Sequence, residues 1–228
     1  MSDLPYSTIV VSGVDAEDFL QGQLTADLRE LNPSQSKRSA WCNPKGRVIC
    51  IMSVRKKDDS FLLTLPTELA EHVVQRLTMF QFRAKVAFDT RPATADELGL
   101  EGDYDEWRLA RLHAGIPEVF GAQSEQFTPH MLNLDQLGAV SLDKGCYTGQ
   151  EVIARTHHRG SSKRRLHRFE SFAPVSPGDK ISEGERNIGE VVNAIGCDIL
   201  AIVPVDKAGE LLSIGTKKKT YLQLINVN

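Results

Sequence analysis

This sequence of 228 residues has few cysteines, few long apolar runs and no excess of positive charge. Its four cysteines include no C-x-x-C pair, which argues against a zinc site or a disulfide framework and favours a reducing compartment. The formal net charge of −3 lacks the basic excess typical of nucleic-acid-binding domains. The hydrophobic fraction of 41% is ordinary for a globular protein, and the length suits one substantial domain, with or without a small appendage.

The sequence also lacks a segment suited to a membrane or to export. Its most apolar stretch, 191–205, is interrupted by Asn193 and Asp198 and is shorter than the ~20 residues of a transmembrane helix. The first residues, Met-Ser-Asp-Leu-Pro-Tyr, contain no basic region of the kind that begins a signal peptide. We therefore expect a cytoplasmic protein that does not associate with a membrane.

Strand-like and helix-like segments alternate over the first 88 residues, which is typical of an α+β fold around an antiparallel sheet. Strands are predicted at 7–12, 39–42, 48–54, 61–65 and 85–88, with hairpin-turn composition at 43–46. Helices are predicted after Asp15 as the capping residue, and at 24–31, 66–79, 107–114 and 147–156. Residues 89–105 are expected to form an exposed connection. From 166 onward, short apolar runs predict a small all-β barrel or sandwich; they lie at 166–172, 188–192, 200–205 and 221–227.

The segment 144–151, Lys-Gly-Cys-Tyr-Thr-Gly-Gln-Glu, is the most unusual local sequence. Glycines near Cys146 permit close backbone approach or positive φ. Lys144 and a following helix N-terminus would both stabilise a thiolate, so we expect Cys146 to be accessible, with a pKa below ~8.5. The alternative is that Cys146 is a small buried hydrophobe, as free cysteines often are. The other three cysteines lie in apolar or strand-like contexts and should react more slowly.

Positive charge is concentrated in residues 144–168, where seven basic residues and the single acid Glu151 give +6 and leave −9 for the rest of the chain. Such asymmetry fits a site for phosphate, a polycarboxylate or nucleic acid, and equally fits a solvated loop. His157 and His158 are adjacent and have no other ligand at metal-binding spacing, so we expect no metal site. Trp107 opens a predicted helix, either as a core residue or as a surface on which a flat heterocycle stacks.

The segment 144–151, continued by Val-Ile-Ala-Arg155 and by Arg159-Gly160, resembles the signature of the YgfZ family of folate-binding proteins. These proteins are related to the T-protein, the aminomethyltransferase of the glycine cleavage system. Supporting likeness covers nearly the whole chain, at 13–27, 42–47, 111–117 and 129–134. The connection near 89–106 is shorter than in longer members of the family, so the chain resembles a short form.

The resemblance implies an α+β fold with two domains. Residues 1–165 would form a T-protein-like folate-binding domain with an antiparallel sheet and helices, and 166–228 a small C-terminal β-barrel. The implied cofactor is tetrahydrofolate or a derivative. His113 stands where T-proteins carry a glutamate that grips the pterin. The implied motif residues with a catalytic or related role are Lys144 and Cys146, and the implied folate contacts are Trp107, Tyr6, His113, Arg155 and Arg159.

The resemblance also bears on activity. T-proteins place their catalytic carboxylate on the strand that corresponds to 46–54, where this chain has Cys50 and Ile51. Neither side chain performs acid–base chemistry of that kind. We therefore expect an accessory protein rather than a classical enzyme, a monomer that supports iron–sulfur cluster assembly or repair and iron–sulfur-dependent tRNA modification. Its partners would be folate and iron–sulfur enzymes or assembly factors, with tRNA reached only indirectly. The alternatives are a tetrahydrofolate-dependent aminomethyl or one-carbon transferase and, more weakly, direct RNA binding through 155–168.

Overall fold

The computed structural model describes residues 4–32, 35–158, 162–215 and 219–225. The chain divides into two compact units, each built from separate stretches of sequence. The first unit comprises Met1–Glu101, Val119–Pro129 and Leu134–Arg155. The second unit comprises Gly102–Glu118, His130–Asn133 and Thr156–Asn228. The division after residue 165 that the resemblance implies stays a prediction.

An antiparallel sheet organises the described part of the first unit. Its five strands are β1 (Tyr6–Ser12), β2 (Ser36–Cys42), β3 (Val48–Lys57), β4 (Ser60–Pro66) and β5 (Ala87–Pro92). Their order across the sheet is β2-β3-β4-β1-β5. The predicted hairpin turn joins β2 to β3, where the Asn43 N–H donates to the Arg47 carbonyl at 2.8 Å. The α+β class and the antiparallel sheet expected from the sequence are therefore confirmed.

Helix α2 (Thr67–Met79) follows directly on Pro66, as predicted. Leu69, Val73 and Leu77 recur every four residues and are buried, which gives the helix one apolar face. This face joins the inner side of the sheet in a single hydrophobic core. Proline suits this position because its fixed φ is compatible with a helix start and its missing N–H would have no intrahelical partner there.

The helix predicted at 24–31 was wrong, because the structure describes these residues throughout as bends, turns and one bridge. Leu24 pairs with Trp41 in an isolated antiparallel bridge. Leu24, Thr25, Ala26 and Leu28 are all buried, so the stretch packs into the first unit without forming a regular element.

Helix α1 (Ala16–Gln21) forms where it was predicted, but its predicted cap was wrong. Among the described residues, the Asp15 carboxylate accepts the Lys85 N–H at 2.7 Å and makes no capping bond to α1. The sequence-based strand at 85–88 begins instead at Ala87 and runs on to Pro92. The short helix α3 (Ala95–Leu98) follows, with a Thr94–Glu97 capping box. The expected connection at 89–105 thus contains regular structure that its polar composition concealed.

A closed antiparallel barrel organises the second unit, which confirms the C-terminal β-barrel. Its strands among the described residues are β6 (Arg164–Ser171), β7 (Lys180–Glu183), β8 (Arg186–Ile195), β9 (Asp198–Pro204), β10 (Leu212–Ile214) and β11 (Thr220–Ile225). They follow the order β10-β11-β6-β9-β8-β7, and pairing of β7 with β10 closes the ring. The four predicted apolar runs correspond to β6, β8, β9 and β11. Strands β7 and β10 were not predicted, because they span only four and three residues and carry too short an apolar pattern.

Two longer helices complete the described structure. Helix α4 (Tyr104–His113) belongs to the second unit, and Asp103 caps it by accepting the N–H groups of Asp105 and Glu106. Helix α5 (Gln150–His158) begins in the first unit and ends in the second. Both helices were predicted, with boundaries shifted by about three residues, a common error at helix ends. Within the described chain, no helix has the length and apolar character needed to cross a membrane.

Candidate functional site

Lys144 lies at the base of the 144–151 segment, buried in the first unit with 8% of its surface exposed. Its Nζ donates to the main-chain oxygens of Leu24 at 2.9 Å and Ala26 at 2.8 Å. Burial lowers the pKa of Lys144 to about 8, although the negative charge of Asp27 acts in the opposite direction. The stabilisation of a Cys146 thiolate by Lys144 stays a prediction; the structure shows that the Lys144 amine is buried against backbone carbonyls from a distant part of the chain.

Gly149 lets the segment approach the β2–β3 turn closely. Its φ is +84°, and a Cβ added there would lie 2.6 Å from the Asn43 oxygen and 3.1 Å from Gly46 Cα. Any side chain would therefore clash with main-chain atoms. Gly145 has an ordinary φ and nothing within 4 Å of an added Cβ. The close approach predicted for the glycines therefore holds at Gly149, and the structure shows no such requirement at Gly145.

The β2–β3 turn beside Gly149 is itself stabilised by side-chain hydrogen bonds. Asn43 Oδ1 accepts the N–H groups of Lys45 and Arg47, and its Nδ2 donates to Glu125 Oε2 at 2.6 Å. Arg76 of α2 donates to the other carboxylate oxygen at 2.5 Å. The hydrogen bond from Asn43, helped by the bond from Arg76, lowers the pKa of the Glu125 carboxyl. Sequence reasoning missed Glu125, whose partner Asn43 lies 82 positions earlier in the chain.

Thr148 attaches the middle of the segment to the loop after α1. Its N–H donates to the Gly22 oxygen at 3.2 Å, and its hydroxyl donates to Gln23 Oε1 at 3.2 Å. The same Gln23 oxygen accepts the indole N–H of the buried Trp41 at 3.3 Å. Polar contacts therefore fix the segment to the loop after α1, and Gly149 packs closely against the β2–β3 turn.

Tyr147 and Cys146 are neighbours with opposite environments. The Tyr147 ring is buried, its centroid is 5.2 Å from Lys144 Nζ, and its hydroxyl has no hydrogen-bond partner among the described residues. Burial raises the pKa of that hydroxyl well above its ordinary value. Cys146 is exposed, whereas Cys42 and Cys50 are buried. The predicted accessibility of Cys146 is confirmed, and the alternative of a buried small hydrophobe is excluded.

Strand β3 carries the two residues that stand where T-proteins have their acid. Cys50 is fully buried, and burial raises the pKa of its thiol to about 12. Ile51 is 7% exposed. The sequence of β3, Val-Ile-Cys-Ile-Met-Ser-Val-Arg-Lys-Lys, contains no carboxylate. The strand therefore contributes packing to the first unit, and its positions 50 and 51 offer no carboxylate to a ligand.

Helix α4 of the second unit carries both Trp107 and His113. The Arg111 guanidinium carbon lies 4.6 Å from the centroid of the half-buried Trp107 ring, within range of a cation–π contact. Tyr104 stacks beside the indole with 5.9 Å between centroids. Two residues after Arg111, His113 Nε2 lies 2.9 Å from Asp198 Oδ1, an oxygen that also accepts from Arg168 at 3.0 Å. We call the side chains of Tyr104, Trp107 and Arg111 the α4 face.

The remaining predicted folate contacts lie elsewhere. Tyr6 belongs to β1 of the first unit and is 3% exposed. Arg155 is exposed on α5 and forms an i,i+4 ion pair with Glu151 at 2.5 Å. Arg159 lies outside the described residues. All of these assignments stay predictions. The histidine that pairs with His157 was missed: besides its neighbour His158, His157 has the ring of His130 at 6.1 Å.

Comparison with known proteins gives a consistent result, although no family model matches the chain. An uncharacterized protein from Haemophilus influenzae is 30% identical over 72% of this chain and 70% of its own length. The tRNA-modifying proteins YgfZ from Enterobacter and from Shigella sonnei are 29% and 27% identical, over 85% and 83% of this chain and 80% and 79% of theirs. Among solved structures, the glycine cleavage system aminomethyltransferase T from Bartonella henselae matches with a TM-score of 0.75 at 17% identity. That match covers 97% of this chain and 83% of the other, and at such identity it shows the fold alone. Together with the 144–151 segment, these relatives show that the chain belongs to the YgfZ family.

Proposed function

We propose that the chain is a folate-binding accessory protein that supports tRNA modification by serving iron–sulfur enzymes. The observation that carries this proposal is that the exposed Cys146 lies on a segment whose neighbouring residues are held by hydrogen bonds to the first unit. Lys144, Tyr147 and Thr148 hold the backbone, so Cys146 is presented to solvent from a well-defined position. Such a thiol is suited to contact a partner protein or its cluster, because it is accessible and preorganised.

The nature of β3 supports an accessory role over group transfer. Aminomethyl transfer of the T-protein type requires a carboxylate on this strand, and here Cys50 and Ile51 are packed into the interior. A buried thiol whose pKa is raised to about 12 stays protonated at neutral pH and does not replace that acid. The names of the curated relatives, tRNA-modifying protein YgfZ, support tRNA modification as the process that is served.

The α4 face supports folate binding. The half-buried indole of Trp107 offers a stacking surface for a pterin ring, as indoles do for flat heterocycles. The nearby Arg111 guanidinium, which donates to the Glu118 carboxylate at 3.5 Å, adds a positive charge that would attract the carboxylate of a folate glutamate tail. We assign tetrahydrofolate or a derivative to this face; the roles of Tyr6, Arg155 and Arg159 stay predictions from the resemblance. His113 is held by Asp198 and would present an imidazole to the pterin edge.

A deletion strain tests the accessory role. Loss of the gene should lower the activity of iron–sulfur enzymes and the level of iron–sulfur-dependent tRNA modifications, and the wild-type gene should restore both. Cys146→Ser should restore neither, whereas Cys197→Ser, a change at the half-buried cysteine of the second unit, should restore both. Full restoration by Cys146→Ser, at matched protein levels, would contradict the role of the exposed thiol.

The alternative is a tetrahydrofolate-dependent aminomethyl or one-carbon transferase, which the likeness in fold to aminomethyltransferase T favours. Formation of methylenetetrahydrofolate from an aminomethyl-lipoyl donor distinguishes the two. We expect no product above the uncatalysed rate. Turnover that disappears in Trp107→Phe, a change on the α4 face, would establish the transferase and overturn the accessory assignment.

A further inference from the structure

Two histidines far apart in sequence meet in the second unit. Ring nitrogens of His130 and His157 lie within 4.8 Å of one another, and the ring centroids are 6.1 Å apart. His130 is 2% exposed, whereas His157 is exposed in the last turn of α5. One imidazole of the pair is therefore set in the interior, and the other is at the surface where its side chain can rotate.

The buried member of the pair is well positioned. Arg165 of β6 donates to the main-chain oxygen of His130 at 3.1 Å, and Asn133 Nδ2 donates to the Leu166 oxygen at 2.8 Å. These bonds attach the stretch His130–Asn133 to a strand of the closed barrel. A ligand side chain supported in this way loses little conformational freedom when a metal binds.

We propose that His130 and His157 bind one divalent transition-metal ion of the zinc class, a function separate from the proposed folate site. Two imidazole nitrogens on one tetrahedral Zn²⁺ lie about 3.4 Å apart, since each Zn–N bond is about 2.0–2.1 Å. Rotation of the exposed His157 side chain closes the remaining distance. The end of α5 adds the negative pole of a helix, which favours a cation.

The chemistry of the pair selects the class of ion. Neutral imidazole binds zinc, nickel and copper well, whereas magnesium and calcium prefer oxygen ligands. The positive charge of Arg165 works against the metal and limits its affinity. The same positive charge would favour an anion such as phosphate on protonated imidazoles, and the experiment therefore includes phosphate.

Calorimetric titration of the full chain with Zn²⁺ and with Ni²⁺ tests the proposal. Cys146→Ser serves as the background, because the exposed Cys146 thiol would otherwise bind the same ions. We expect one ion per chain. In that background, His157→Asn should weaken binding at least about tenfold, as loss of a ligand costs no less than loss of its supporting partner. His72→Asn, at an exposed histidine of α2 in the first unit, should leave the affinity unchanged.

His130→Asn should abolish binding as well, with circular dichroism to confirm that the variant is folded. If the buried His130→Asn substitution prevents folding, the affinity of His157→Asn alone tests the proposal. Unchanged affinity in folded His157→Asn, an equal loss in His72→Asn, or no saturable metal binding up to ~1 mM, the range of a very weak complex, would overturn the proposal. So would binding of inorganic phosphate, and not of either metal, that depends on His157.

Discussion

The 144–151 segment of the first unit and the α4 face of the second unit both carry residues of the family resemblance, yet they are held in different ways. Buried polar contacts fix the segment: a lysine amine on two carbonyls and a glycine against a turn. Stacked, partly exposed rings and the Arg111 guanidinium form the α4 face. The comparison shows that buried contacts hold several signature residues of the segment, whereas Trp107 on α4 is only half-buried. Substitutions should therefore lower stability in the first region and binding in the second.

The largest difference is expected in alkylation rate, between Cys146 of the segment and the buried cysteines of β2 and β3. Cys42 and Cys50 react only when the structure opens, so iodoacetamide should modify them on the order of a thousandfold more slowly than Cys146 at neutral pH. Burial also raises the pKa of both buried thiols, which reduces their thiolate fraction. Mass spectrometry of timed samples assigns each site. Comparable rates at Cys146 and Cys50 in the folded protein would contradict the exposed position of Cys146.

Gly149→Ala should be the most destabilising single change in the segment. The substitution forces a Cβ into the Asn43 oxygen at positive φ, so the free energy of unfolding should fall by about 3 kcal/mol. Urea unfolding followed by circular dichroism measures the change. Gly145→Ala is the matched control, since an added Cβ there meets open space and should change stability by less than about 0.5 kcal/mol. Equal effects at the two glycines would refute the close approach.

Lys144→Met should lower the free energy of unfolding by about 2 kcal/mol at pH 7, because it leaves two buried carbonyls without their donor. The methionine keeps most of the aliphatic volume. Lys144→Ala should cost more, since it adds a cavity. A change below about 0.5 kcal/mol, the size expected for a surface lysine, would contradict the buried contact.

The difference in free energy of unfolding between the wild type and Lys144→Met should also depend on pH, in a direction set by the pKa of Lys144. That pKa is about 8 in the folded protein against an ordinary value of 10.5, so between these pH values the unfolded chain binds more protons. The free energy of unfolding of the wild type should therefore rise with pH relative to that of Lys144→Met, by on the order of 2 kcal/mol from pH 8 to pH 10.5. The neutral amine still has two hydrogens for the carbonyls of Leu24 and Ala26. A difference that stays constant over this range would argue against a lowered pKa.

The smallest effect on stability is expected at the α4 face, where Trp107→Phe should cost less than about 1 kcal/mol, the size of one exposed cation–π contact. Its effect should be on ligand binding. Tetrahydrofolate should quench tryptophan fluorescence of the wild type in a saturable way, and Trp107→Phe should remove most of the response. The buried Trp41 supplies the residual signal. A wild-type response that does not saturate by ~1 mM, about 4 kcal/mol of binding free energy, would contradict the assignment of folate to the α4 face.

Local patterns in the sequence predicted the hairpin at 43–46, helix α2 and most barrel strands, because periodicity and turn composition are set by neighbouring residues. The environment of Lys144 was not predictable in this way, since its partners lie 118 and 120 positions earlier. The same holds for Asn43 with Glu125, which are 82 positions apart. At 24–31 the local pattern itself misled, because apolar residues that suggested a helix are buried in a stretch without regular structure. The exposure of Cys146 was foreseen because flanking glycines give it little cover.

The contact of Lys144 with Leu24 also limits how early the first unit can finish folding during translation. The 120 positions between them take roughly 6–24 s to translate at ~5–20 residues per second. During this interval the strands β1 to β4 are already synthesised and can pair, while the carbonyls of Leu24 and Ala26 have only water as a partner. Completion of the first unit thus waits for a segment made long after its sheet. A chaperone that shields the loop after α1 on the ribosome would act in that interval, and a slowly translated codon run between β5 and residue 144 would lengthen it.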